Sequence, residues 1–296
     1  IDTPTMMEGV RNVHCVAVGL NHVACVDNEG HVWTYGDNRL YQLGIGDLEE
    51  AFYDSFHRVE SLENVKSVHC GYNSTLCLLD DGTVYGFGRN GFNELGVGDR
   101  CDIKEPTQMH DVKDIVSVAC GLLHSVLLDS HGDVYVCGYN GRGSLGIGDN
   151  TKRKTPVKNP FLSDIVQIAC GAYHTLALNS NNELYSFGHN YSSQLGLGHF
   201  EDINKPTLVE DHPPIHKISC GYDHSMIIDI DGYLWVCGSN RYGQLGMDMK
   251  TKQINKFTKL EALQDVQVVA CCEYHSIAKT SNGIWVFGRN PEGQLG

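Results

Sequence analysis

Histidine and cysteine give this 296-residue chain its widest chemical reach, with 15 and 12 copies. His22, His124, His174, His224 and His275 each sit at the end of a Gly-x-x-His phrase; Ser74 fills the slot in the second phrase and Cys272 replaces the last glycine. Metal ligation would require several imidazoles within about 2 Å of one ion. These histidines lie one per repeat, and equivalent positions of a repeat converge that closely only on an axis. A hydrogen bond from each ring, tying its loop to neighbouring backbone, is the simpler reading. Cys70, Cys120, Cys170, Cys220 and Cys271 likewise share one slot, and Cys137 and Cys237 occupy a slot filled by Phe87, Phe187 and Phe287 elsewhere. A position that accepts Cys or Phe is an apolar core position. With no CxxC pair the cysteines read as free structural thiols of a reducing compartment, cytoplasm or nucleus.

The other chemical motifs are weak. Gly141–Gly146 (GRGSLG) matches GxGxxG, but no βαβ unit surrounds it, so the match is discounted. The sequons at Asn73 and Asn190 belong to the repeat pattern and are discounted as glycosylation sites. Neither a P-loop, a nucleophile elbow nor HExxH is present. Neither catalytic residues nor a cofactor nor a metal is expected.

The elements that must carry these residues follow from the period. Leu-Gly recurs at Leu43, Leu95, Leu145, Leu195, Leu245 and Leu295, with spacings of 52, 50, 50, 50 and 50. Each pair is preceded by Gly-x-Asn, ending at Asn38, Asn90, Asn140, Asn190, Asn240 and Asn290. Self-similarity at this period marks a repeat architecture. Within the third copy, Ile115–Cys120, Ser125–Leu128 and Val134–Cys137 read as strands, with a tight turn before the last. Asp-Gly, Glu-Gly and Asn-Gly in that turn slot are hairpin chemistry. A fourth strand is expected near the Pro-Thr phrase of Pro4, Pro106 and Pro206. Four antiparallel strands per repeat, repeated radially, give an all-β propeller without helices. The copies run approximately over 4–46, 57–98, 106–148, 156–198, 206–246 and 257–296, as one domain.

The composite ACGxxHS, DGxVYxFGxN and GQLGxGD resembles the regulator-of-chromosome-condensation family over the whole chain. The resemblance implies a propeller, usually of seven blades; six copies leave six blades, or seven lacking one, both open. It also implies protein binding, with Ran nucleotide exchange as the best-known activity. An acidic residue after the loop glycine is part of that activity, and here the slot holds Leu20, Tyr72, Leu122, Ala172, Tyr222 and Glu273. Copies of fifty residues leave no room for the family's inserted wedge, and the one longer inter-blade loop, Asp47–His57, adds only two residues. Light sensing, known in a plant branch of the family, uses tryptophans in that loop. Trp33, Trp235 and Trp285 take strand positions instead and read as blade-packing residues.

Strand parity sends both variable loops of each repeat to one face. Five of nine arginines, Arg39, Arg89, Arg142, Arg241 and Arg289, fall there, with Tyr41, Tyr72, Tyr139, Tyr173, Tyr191, Tyr222, Tyr242, Tyr274, Phe92 and Asp223. Arg and Tyr are enriched at binding hot spots, and loops on a rigid scaffold carry function. These residues are the candidate partner site; the alternative is packing between blades, with arginines paired to Asp37, Asp99 or Asp149. The net charge of −14 opposes nucleic-acid binding, and no apolar run is long enough to span a bilayer. Ile1–Gly9 lacks the basic flank and apolar stretch of a signal peptide, and the missing initiator Met suggests a fragment or a processed chain. The expected function is a non-enzymatic interaction platform engaging a small GTPase or its regulators. The alternative is an exchange factor for Ran or a relative.

Overall fold

A computed structural model describes residues 9–46, 50–98 and 101–296. Pro4, Asp99 and the 47–49 part of the acidic loop lie outside the described residues. The chain is all-β, with strands of five to seven residues gathered into six antiparallel sheets, the blades of a β-propeller. The first sheet is β1 (Val13–Val18), β2 (His22–Asp27), β3 (Val32–Asp37) and β4 (Phe52–Arg58). The second is β5 (Val65–Cys70), β6 (Ser74–Leu79), β7 (Val84–Gly88) and β8 (Ile103–Gln108). The third is β9 (Ile115–Cys120), β10 (His124–Asp129), β11 (Val134–Gly138) and β12 (Arg153–Lys158). The fourth is β13 (Ile165–Cys170), β14 (His174–Asn179), β15 (Leu184–Gly188) and β16 (Ile203–Leu208). The fifth is β17 (Ile215–Cys220), β18 (His224–Asp229), β19 (Leu234–Ser239) and β20 (Gln253–Lys259). Among the described residues the sixth has three strands, β21 (Val266–Cys271), β22 (His275–Thr280) and β23 (Gly283–Gly288).

Strand order within each sheet follows the chain, so every connection is a hairpin or short loop. The Pro-Thr strand pairs with the sheet before it: Tyr85 lies opposite Gln108, and Tyr185 opposite Leu208. Each four-stranded sheet therefore straddles the boundary of two sequence copies. Phe52–His57, read from sequence as part of the Asp47–His57 loop, belongs to the outer strand of the first sheet, Phe52–Arg58. The extended, aromatic-rich stretch FYDSFHR meets the free edge of β3, and ladder bonding outweighs its acidic composition.

The strands cluster into two compact units: the described part of 6–141 with 151–160, and 161–296 with 142–150. Each contains three sheets. In both, the apolar core lies between neighbouring sheets. Ala24, Val26 and Val32 of the first sheet pack with Val65, Val68 and Phe87 of the second. Met226, Val236 and Leu245 of the fifth pack with Val266, Val269 and Ala278 of the sixth. The shared Cys/Phe slot is core, since Phe87, Phe187, Cys137 and Cys237 are fully buried. None of the twelve cysteines forms a disulfide, and burial raises the thiol pKa of Cys120, Cys137 and Cys271 to about 12.

The tryptophans do hold the blades, through a bond that the sequence did not announce. Asp229 Oδ1 accepts the backbone N–H groups of Asp231 and Tyr233, closing the β18–β19 turn, while Trp235 Nε1 donates to Oδ2 at 2.8 Å. Asp27 and Trp33 repeat this arrangement. Burial pushes the Asp27 carboxyl up, but the donated bonds outweigh it and hold its pKa at about 2. Trp285 is half exposed and bonds Thr280 instead.

Candidate functional site

The loop face is built on the recurring glycine of Gly-x-Asn. Gly36, Gly88, Gly138, Gly188, Gly238 and Gly288 all have φ near +100° to +118°. A Cβ on Gly238 would lie 2.5 Å from the Asp223 carbonyl oxygen, so only glycine fits. This close approach brings the end of the third strand against the Gly-x-x-His turn. The next N–H bonds back to it in every sheet, from Asp37 to Asn21, Arg89 to Asn73, Tyr139 to Leu123, His189 to Tyr173, Ser239 to Asp223 and Arg289 to Tyr274. The expectation that both variable loops of a repeat emerge together therefore matches the backbone. The Gly-x-Asn asparagine then folds the longer loop, its Oδ1 accepting the Leu-Gly leucine N–H at Leu43, Leu95, Leu195, Leu245 and Leu295. Asn190 is fully buried in this role, which removes its sequon as a glycosylation site.

The histidines lie beneath the face and tie sheet to sheet. His22 Nε2 is 3.0 Å from Thr75 Oγ1, His174 Nε2 is 2.9 Å from Ser225 Oγ, and His224 Nε2 is 2.9 Å from Ser276 Oγ. Each hydroxyl donates its proton to a carbonyl in the long loop of the histidine's own sheet: Thr75 to Gln42, Ser225 to Gln194, Ser276 to Gln244. It can then only accept from the ring, which fixes the tautomer as Nε2–H with Nδ1 bare. Nδ1 is buried without a partner in these rings. Protonation would place a second N–H where nothing accepts it. Burial accordingly lowers the pKa of His22 and His124 to about 4 and of His224 to about 3. The expected bond to neighbouring backbone is thus relayed through a hydroxyl of the next sheet. The phrase's glycine is explained by the same ring, since a Cβ at Gly221 would lie 2.1 Å from His224 Cε1. Among the described residues, no three His, Cys, Asp or Glu side chains are placed to hold a metal ion.

On the surface above, the structure gathers the aromatic candidates into clusters. Tyr274 lies 5.4 Å from Tyr222 and 5.2 Å from Tyr242, ring centre to ring centre, bridging the fifth and sixth sheets. Burial and nearby Glu273 raise the Tyr274 phenol to about 12. Phe92 meets Tyr139 edge-on at 5.6 Å, and the Arg89 guanidinium stacks 5.3 Å above Phe92. Tyr173 packs against His189 within its own sheet. Tyr191 stands out at 69% exposed, beside a shallow depression lined by Arg142, His189, Phe200, Glu201 and Asp202. Tyr41, with φ of 61°, turns its loop and lies under Lys104; Tyr72 is half buried.

The arginines are largely matched to carboxylates. Arg39 forks onto Asp37 at 2.6 Å, Arg142 meets Asp202 at 3.1 Å, and Arg289 meets Glu292 at 2.7 Å. Arg89 approaches Glu94 at 3.9 Å. Asp37 was an expected partner; Glu94, Asp202 and Glu292 were not. Arg241 is different: exposed beside Tyr242, it makes no ion pair among the described residues. Sequence reading also missed Glu94, which takes a slot held by Gln42, Gln194 and Gln244 and is 2% exposed. It accepts the Phe92 N–H, and burial raises its pKa. Gln194 Nε2 links His189 to Asp223, whose pKa burial raises against the pull of His189 and Arg241.

Comparison with known proteins now decides the family. The RCC1-like domain profile matches residues 1–218 and 115–296. The chain belongs to the RCC1-like domain family. It is 36% identical over 103 residues to the ultraviolet-B receptor UVR8 of Arabidopsis thaliana, 34% of this chain and 23% of that protein. It is 38% identical over 88 residues to the X-linked retinitis pigmentosa GTPase regulator homolog of Caenorhabditis elegans, 29% of this chain and 6% of the relative. The matched stretches thus span less than a quarter of either relative. The crystal structure of Prp20p from Saccharomyces cerevisiae superposes with a TM-score of 0.85 at 26% identity, covering 95% of this chain and 72% of that one. That protein was examined for binding to Gsp1p and histones. No helix among the described residues is long and apolar enough to cross a membrane.

Proposed function

We propose that this RCC1-like propeller is a non-enzymatic binding platform whose loop face engages a protein, with a small GTPase or a GTPase regulator as the partner class. The observation that carries the reading is the cluster of Tyr222, Tyr242 and Tyr274 with Arg241 exposed at its edge. Stacked tyrosines offer apolar area at low entropic cost, and a guanidinium without a competing ion pair is available to a partner's carboxylate. The paired arginines Arg39, Arg142 and Arg289 present matched charge and favour orientation over affinity. A relative named as a GTPase regulator homolog supports the partner class.

A second reading, nucleotide exchange, draws on Glu273, the one acidic residue in the slot after the loop glycine, beside Tyr274. The two readings separate in one experiment. Binding and nucleotide release are measured together against a panel of small GTPases. A platform binds without accelerating release; an exchange factor accelerates release, and Glu273→Gln slows it. Absence of binding across the panel removes the GTPase partner class.

A further inference from the structure

Asn-Gly occurs at Asn90–Gly91, Asn140–Gly141 and Asn282–Gly283, and the fold places these pairs in different chemical situations. An asparagine followed by glycine cyclises readily, because no side chain on the second residue hinders approach of its backbone nitrogen to the carboxamide carbon. The glycines do not separate the exposed pair from the others, since a Cβ at Gly91 or at Gly283 would meet nothing within 4 Å. The asparagines do. Asn90 and Asn140 are fully buried. Asn90 Oδ1 accepts the Leu95 N–H at 3.1 Å, and Asn140 Nδ2 donates to the Thr151 carbonyl at 3.3 Å. A carboxamide held in this way cannot turn its carbon toward the following nitrogen without breaking the loop that it folds.

Asn282 sits exposed in the turn between β22 and β23, where Thr280 pairs with Gly283 and only Ser281 and Asn282 lie between. Among the described residues no hydrogen bond holds its carboxamide; its backbone N–H donates to Thr280 Oγ1 at 3.2 Å. Asn182, in the corresponding turn of the fourth sheet, shows what restraint requires: its carboxamide donates to the Ile215 carbonyl and accepts the Ile215 N–H. The turn itself is also less firmly pinned. Asp27, Asp129, Asn179 and Asp229 each accept two turn N–H groups on one side-chain oxygen. Thr280 takes that slot in the sixth sheet and accepts one, that of Asn282, while its hydroxyl donates to the Gly283 carbonyl. With Ile284 71% and Trp285 50% exposed, opening this turn uncovers little surface that is not already in water.

We propose that Asn282 is a deamidation site, left reactive by the same fold that protects Asn90 and Asn140. Once a solvent base has taken its proton, the Gly283 nitrogen attacks Asn282 Cγ. The bond from Cγ to the side-chain nitrogen breaks, and ammonia leaves with a proton returned by solvent. Water then opens the resulting succinimide at either carbonyl, giving aspartate or isoaspartate. Each product adds one negative charge to the −14 of the chain. Isoaspartate also adds a carbon to the backbone of this short turn, which disturbs the pairing of Thr280 with Gly283 and the Thr280 bond to the Trp285 indole. It leaves an exposed α-carboxylate, the group that an isoaspartyl methyltransferase esterifies with S-adenosylmethionine.

The test incubates the full chain in mildly alkaline buffer, native and in denaturant, and follows the mass of the peptides carrying each Asn-Gly pair. Isoaspartate is scored by methyltransferase labelling of the same samples. In the native chain Asn282 should convert at close to its denatured-state rate, with isoaspartate labelling at that peptide, while Asn90 and Asn140 convert about tenfold more slowly or less. In denaturant the difference between the pairs should collapse. Native conversion of Asn282 as slow as that of Asn90 and Asn140 overturns the proposal. So does native conversion of Asn90 or Asn140 as fast as that of Asn282, since the fold would then not be what discriminates.

Discussion

Acidification attacks the histidine relay, and its cost can be worked from the ring environments. His22, His124 and His224 are each no more than 2% exposed, with Nδ1 unbonded, and have pKa values lowered from 6.5 to about 4, 4 and 3. A lowered folded-state value means that the unfolded chain binds these protons first. Stability is full above about pH 7 and falls as pH drops through 6.5, until the folded-state values are reached near 4 to 3. The slope is about 1.4 kcal/mol per pH unit per proton, so between pH 7 and pH 5 each ring costs roughly 2 kcal/mol and the three together roughly 5 to 6. Glu94 and Asp223, whose pKa values are raised, oppose this trend in part. Asp27, held at about 2, contributes stability above about pH 4 and loses it only as pH falls toward 2, outside this window. Urea unfolding at pH 7.0, 6.0 and 5.0 measures the slope directly. His224→Gln, which keeps a donor for Ser276, should remove that ring's share, roughly 2 kcal/mol between pH 7 and pH 5, from a slope to which His69, lowered to about 4 by burial, also contributes. A stability flat from pH 7 to pH 5, or an unchanged slope in His224→Gln, refutes the buried neutral relay.

Further outcomes follow from the same contacts. Gly221→Ala drives a Cβ to 2.1 Å from His224 Cε1 and 2.5 Å from the Cys272 carbonyl oxygen, and should cost about 3 kcal/mol or more in denaturant unfolding. Gly91→Ala, with nothing within 4 Å, should lie within about 0.5 kcal/mol of the parent. Asp229→Ala unbonds two turn N–H groups and the Trp235 indole and should cost about 2 to 3 kcal/mol, while Asp229→Asn retains most of that, as Asn179 does in its own turn. Alkylation of the native protein should label Cys101 first, the one exposed thiol, and spare Cys77, Cys137 and Cys237 until denaturant is added; mass analysis of the labelled peptides reads the order.

The recurring phrases announced the strands because each phrase does one structural task repeatedly: glycine for close approach, asparagine to fold the loop, leucine to fill the core. The relay was partly legible, since a hydroxyl follows the histidine slot directly at Thr75, Ser125, Thr175, Ser225 and Ser276. The reading stopped at the histidine because its partner lies in the next repeat. Assignment of the Pro-Thr strand to the preceding sheet was not legible, because the loops on either side of it are both short enough for pairing. The arginine partners were hidden for a similar reason. Asp202 lies 60 residues from Arg142, and a carboxylate that far along an acidic chain cannot be singled out without coordinates. Paired arginines give the face aromatic clusters with matched charge, leaving Arg241 as the exception.

The central claim is that this aromatic face binds a protein partner. The direct measurement is calorimetric titration of the GTPase retained from the panel into the parent chain and into Arg241→Ala with Tyr242→Ala, with melting temperatures recorded alongside. Both side chains are exposed, so the double change should leave the melting temperature within a few degrees. Loss of a hot spot costs about 2 kcal/mol or more, so affinity should fall roughly thirtyfold or further. Lys66→Ala with Lys217→Ala, exposed on β5 and β17 away from these loops, should bind as the parent does. Undiminished affinity in a folded Arg241→Ala, Tyr242→Ala chain would contradict the account and make the tyrosine cluster a packing feature of the fifth and sixth sheets.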